Sequence, residues 1–180
     1  MLCEFSYLAW KFKRGVLGWL HIRPRPPVNT RLGSLEEVAF EEAGHAVMAN
    51  QLGCRVMGIE IIEYTEIQFS RRYSGSAWIC GDQGDASPKI GLAGPLAATR
   101  RGGHKLVPGI QLGGFIDAFR AFELIRKLHP ENANAEIQIQ AEVIAFVQDP
   151  VNWTRVERLA DAIQQRRSLS RKEIEALTLM

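Results

Sequence analysis

Glu41, Glu42 and His45 fall within five residues of one another. In a helix, positions four apart share a face, so Glu41 and His45 would stand one above the other with Glu42 beside them. A carboxylate and an imidazole one turn apart can ligate a metal, and a second carboxylate next to them can act as general base on a metal-activated water. The spacing is that of the zinc motif H-E-x-x-H, with glutamate in place of the first histidine. Glu41 then stands where the first ligand belongs, Glu42 where the base belongs and His45 where the second ligand belongs. A solvated helix face carrying two glutamates and a lone histidine would read the same way on spacing alone.

The flanking residues argue for a helix that packs into a core. Ser34 with Glu37 is a capping-box pattern that starts the helix just before Leu35. Leu35, Val38, Ala39, Ala46, Val47, Ala49 and Leu52 supply apolar positions at helical spacing, and Gly53 can end the helix. Residues 56–64 mix alternation with β-branched side chains and predict a strand, residues 75–80 predict a second, and 65–74 are left as their connection. Ser87-Pro88 reads as an N-cap followed by proline at the first helical position, opening a helix that a turn at Gly102-Gly103 follows. Helices are predicted over 117–128 and 133–147, divided by His129-Pro130. Asp149-Pro150 repeats the capping device for a helix with Trp153, Val156, Leu159, Ala160 and Ile163 as its core stripe, and Ser170 with Glu173 caps a last short one. The fold class expected is mainly α with a small β-hairpin (α+β): an active-site helix and a hairpin packed on a helical bundle. In such an arrangement the 76–80 strand could align a substrate backbone by strand addition, although ordinary sheet packing explains it as well.

The run Ala39-Phe40-Glu41-Glu42-Ala43-Gly44-His45-Ala46-Val47, followed by Leu52-Gly53, resembles the active-site helix of the FtsH-type peptidase domain, whose usual form is A-[YF]-H-E-A-G-H-A-V. Leu92-Ala93-Gly94-Pro95-Leu96-Ala97-Ala98 resembles the Gly-x-x-Ala-Ala helix of that family, with Thr99 where many relatives carry glutamate. Gly113-Gly114-Phe115-Ile116-Asp117 is similar to the Gly-x-x-x-Asp segment that supplies the family's third zinc ligand. The stretch from Trp153 through Leu169-Ser170 to Glu173-Ile174 is similar to the C-terminal helices of short relatives without an ATPase module. Together these segments run roughly from residue 35 to 177.

The resemblance implies a zincin-like helix on a helical bundle and hydrolysis of peptide bonds by metal-activated water. It implies His45 and Asp117 as metal ligands, Glu42 as general base and Glu41 as substitute ligand. The departure at Glu41 has chemical consequences. A Glu41/His45/Asp117 set carries two negative charges that offset a divalent cation and weaken its acidifying effect on water. More oxygen donors also shift preference from zinc toward manganese or magnesium. His104, in the loop before Asp117, is a further candidate that could restore a second imidazole. The alternative function is a catalytically inactive relative that keeps the fold to bind peptides or a protein partner.

Composition bounds the remaining readings. At 180 residues with 46% hydrophobic content, the chain can bury one substantial core, so a single domain over 32–180 with an extension over 1–31 is expected. No G-x-x-x-x-G-K-[ST] phosphate loop occurs, so any ATP dependence requires a separate ATPase; a homo-oligomer is the other partner that the resemblance admits. Without an ATPase, a peptidase working alone is confined to peptides, unfolded protein segments or one dedicated partner. A net charge of +2 without a basic stripe argues against nucleic acid. The extension interleaves Trp10, Phe12, Trp19 and Leu20 with Lys11, Lys13, Arg14 and Arg23. It lacks an apolar run of about twenty residues and is not a span. It suits peripheral membrane contact, an extra docking helix or an unstructured leader. Three cysteines without C-x-x-C spacing indicate neither a disulfide framework nor a zinc ribbon, which fits a reducing cytoplasm, at the inner face of the membrane if the extension binds there.

Overall fold

Ser34 Oγ accepts from the Glu37 N–H at 3.2 Å and opens α1, Leu35–Gln51, as its capping pattern predicts. The computed structural model describes residues 33–65, 71–80, 84, 86–112 and 115–178. Ala39, Ala43, Gly44, Ala46 and Ala49 make α1 slim, so neighbours approach it from several sides and most of it is buried. After Gly53, at a φ of 77° that suits glycine, the chain enters β1, Arg55–Thr65, which pairs antiparallel with β2, Arg71–Cys80. Then follow α2, Ala86–Arg101; α3, Ile116–Leu128; α4, Ala135–Gln148; and α5, Pro150–Arg166. A short strand β3, Ser168–Ser170, and α6, Arg171–Thr178, complete the described chain.

Among the described residues the sheet order is β2-β1-β3, which puts β2 at an edge, with Ile59 opposite Ala77 and Ile61 opposite Gly75. Gly33 pairs with Tyr73 at that edge through two N–H···O bonds of 3.0 Å, just before α1 begins. α1 packs against β2, α2 and α5, while α3 and α4 pack on α2. One continuous core results, with Leu92, Leu96, Ile125, Leu159, Ile163 and Ile174 essentially inaccessible. The architecture is mainly helical with a small antiparallel sheet, as expected.

Several boundaries differ from expectation. β2 begins at Arg71, so residues 71–74 are strand and not connection. Ser87 lies inside α2, whose first residue is Ala86, so it is not the cap. β3 is only three residues long, too short for alternation to reveal it. It exists because Arg167 adopts a left-handed φ of 63° and turns the chain back onto β1, its carbonyl accepting from Ile61 N–H at 2.8 Å. Cys54 is a buried thiol. Among the described residues no helix is long and apolar enough to cross a membrane. The extension over 1–31 lies outside the described residues.

Candidate metal centre

Glu41 and His45 sit one turn apart on α1, and Asp117 occupies the first turn of α3, more than seventy residues later in the chain. The fold brings them together: one ligand atom from each lies within 4.8 Å of the other two. His45 is buried, whereas Glu41 and Asp117 are partly exposed, so the cluster opens to solvent on its carboxylate side. Among the described residues no other group of three or more histidine, cysteine, aspartate or glutamate side chains is arranged to hold a metal ion. His104 is exposed in its loop and is not part of the cluster.

The geometry around His45 gives its two nitrogens different tasks. Nδ1 lies 2.6 Å from the Ile90 carbonyl oxygen. A carbonyl only accepts, so Nδ1 is assigned the proton and the ring is oriented by α2. This is how a ligating imidazole is commonly held, with one nitrogen donating to a carbonyl and the other turned to the metal. Nε2 is buried without a hydrogen-bond partner; Asp117 Oδ2, at 3.6 Å, is too distant for one and interacts through charge. A buried nitrogen left without a partner is costly, and a cation between His45 and the two carboxylates would satisfy it. The residues therefore fit a divalent ion, with one nitrogen and two carboxylate donors.

Two glycines make room for these side chains. A Cβ at Gly94 of α2 would overlap the His45 imidazole at Nε2, Cδ2 and Cε1. A Cβ at Gly75 of β2 would overlap the Glu42 carboxyl group. Glu42 is 7% exposed and accepts a hydrogen bond from the Ala77 backbone N–H. Burial, reinforced by the negative charges of Glu41 and Asp117, pushes its carboxyl up to about 8 against the opposing effects of His45 and Ala77. Burial acts downward on the His45 imidazole, but Asp117, Glu42 and Glu41 together outweigh it and raise the pKa to about 9. The imidazole in turn holds Asp117 below the usual carboxylate range, against burial, and Arg120 at 3.9 Å adds to the effect. Without a metal, the cluster balances its negative charge with protons, and cation binding would have to displace the one on Nε2.

Ile90, Gly94 and Gly75 were not singled out as functional in the sequence. The small-residue run Leu92–Ala98 contains Gly94 and the second strand contains Gly75, both of which fit ordinary packing equally well, and nothing in the sequence marks Ile90. No family model matches this chain, and no curated protein does.

Proposed function

We propose that this chain is a metal-dependent peptidase of the FtsH type, acting without an ATPase of its own on peptides or unfolded segments. The observation that carries the reading is His45 Nε2, buried without a hydrogen-bond partner beside Glu41 and Asp117 while Nδ1 is fixed by Ile90. Glu41, His45 and Asp117 would hold the ion. When bound, a divalent cation supplies Lewis acidity and an acidified water, zinc with most effect and manganese with the better match to two carboxylates. Glu42 is the base: its buried carboxyl, beside the cluster but not part of it, takes the proton of the attacking water and returns it to the leaving amine. Burial raises its proton affinity, and the positive charge of a bound cation beside it would favour the carboxylate that the base role requires. The edge strand β2 offers main-chain groups for an extended substrate, next to the strand position where Glu42 is seated.

The test is metal content of the purified protein by elemental mass spectrometry after zinc or manganese supplementation, followed by a peptide-cleavage screen. Near-stoichiometric metal that disappears in Asp117→Ala and persists in Glu42→Gln, with cleavage lost in both, is the expected result. Absence of metal under both supplements would overturn it and favour a catalytically inactive peptide-binding protein.

A further inference from the structure

The helix that contributes no ligand is the one both ligand helices rest on. α1 and α3 each have their most extensive helix packing with α2 and not with one another. Their separation is therefore set through α2, at two points one turn apart. At Gly94, the absence of a side chain admits the His45 ring. At Gly91, a Cβ would lie 3.1 Å from Ala121 Cβ and 3.3 Å from the backbone oxygen of Asp117 itself. Both distances are tighter than most side-chain contacts, so a side chain here would make α3 give way by a few tenths of an ångström. The Ile90 carbonyl that holds His45 Nδ1 belongs to the same turn. One short stretch of α2 thus fixes the orientation of one ligand, the room for its ring, and the backbone position of another.

We infer that Gly91 and Gly94 are positioning residues for the cluster: their missing side chains set how closely His45 and Asp117 approach, and with it how tightly a cation is held. The inference rests on the metal reading above but is carried by separate contacts. The three nearest atoms that a side chain at Gly91 would meet all belong to α3, at Ala121 and Asp117, and none belongs to His45 or Glu41. A small opening is costly for a cation, since ligand distances must be held to within a few tenths of an ångström.

The experiment uses the full chain and three forms: wild type, Gly91→Ala, and Gly91→Ala combined with Ala121→Gly, which returns the space from the other side. Zinc affinity by chelator competition is measured with thermal melting of the metal-free proteins. In Gly91→Ala, affinity is expected to fall roughly 10- to 100-fold, the range seen when groups that orient metal ligands are lost. The double variant should recover most of it. Ala121→Val, which crowds the same contact from α3, should weaken zinc similarly and is the second variant if Gly91→Ala does not fold. Wild-type zinc affinity in folded Gly91→Ala or Ala121→Val, with only the melting temperature lowered, would overturn the inference and leave Gly91 a packing residue. If wild type takes up neither zinc nor manganese, the metal reading fails by itself. Crystal structures of the metal-free forms then decide the positioning claim: an Nε2 to Asp117 separation beyond the wild-type 3.6 Å in Gly91→Ala supports it, and an unchanged one overturns it.

Discussion

The cluster on α1 and α3 and the helix starts of the C-terminal layer of α5, β3 and α6 draw their polar partners from different distances along the chain. In the C-terminal layer the helix starts are satisfied by sequence neighbours, although Arg155 Nε of α5 is buried without a hydrogen-bond partner and Thr178 of α6 accepts from the distant Asn50. Asp149 caps α5 by accepting from Asn152 N–H at 2.9 Å, and Glu173 accepts from the backbone and hydroxyl of Ser170 at 2.8 and 2.6 Å. Arg171 pairs with Glu175 one turn away. Around His45 the partners come from distant segments: Ile90 for the ring, Asp117 for the charge, Gly94 for the space. One polar atom there has no hydrogen-bond partner at all. The difference teaches where this fold spends stability. Local satisfaction makes a scaffold, and the cluster keeps an unmet demand that a ligand can fill.

Stability and metal retention should therefore separate between the two regions. The largest stability effect is expected from Leu159→Ala in α5, whose side chain is fully buried; the cavity should cost about 2–5 kcal/mol in urea unfolding. At concentrations where it remains folded, that variant should still take up metal, and loss of uptake would erase the contrast drawn here. Next comes Gly94→Ala, where overlap with the imidazole forces α1 and α2 to adjust at a cost of about 1–3 kcal/mol. Metal uptake should fall with it out of proportion to stability, and a variant with wild-type metal content would show that the ring is not held where the structure places it.

The smallest effect is expected from Glu173→Gln. Ser170 holds the Glu173 carboxyl below the usual carboxylate range, chiefly through its hydroxyl and its backbone N–H, with Arg166 adding to it. A depressed pKa in the folded state contributes stability that is present above the unfolded carboxylate range and lost as pH falls through the folded value. The group is exposed, so the shift in unfolding midpoint should be slight. It should shrink further in acid, where wild type and variant converge; a difference that grew on acidification would contradict the cap.

How much could be read in advance follows the same division. Ser34 with Glu37, Asp149-Pro150 and Ser170 with Glu173 are local signals, and each marks a helix start in the structure. Ser87-Pro88 misplaced its cap because proline also fits inside a first turn, and α2 starts at Ala86. β3 escaped because its pairing depends on the Arg167 reversal and not on any pattern in Ser168–Ser170. Within the candidate site, Glu41, Glu42 and His45 were legible from helical spacing, while Asp117 was legible only through a resemblance. The structure brings Asp117 within reach and leaves His104 outside the cluster. Nothing in the composition of α2 distinguishes a glycine beside an imidazole from one that merely packs.

The sequence by itself determined that Glu41 and His45 share a helix face, that Glu42 stands beside them, and that this helix is slim enough to be buried. Those properties follow from periodicity, capping and side-chain size, all of them local. Only the tertiary structure decided that Asp117 joins the group, that Ile90 faces the imidazole Nδ1, and that Gly91 and Gly94 lie against α3 and the His45 ring. These depend on distances between segments far apart in the chain, fixed to tenths of an ångström by close packing, and no spacing rule along a sequence carries that information.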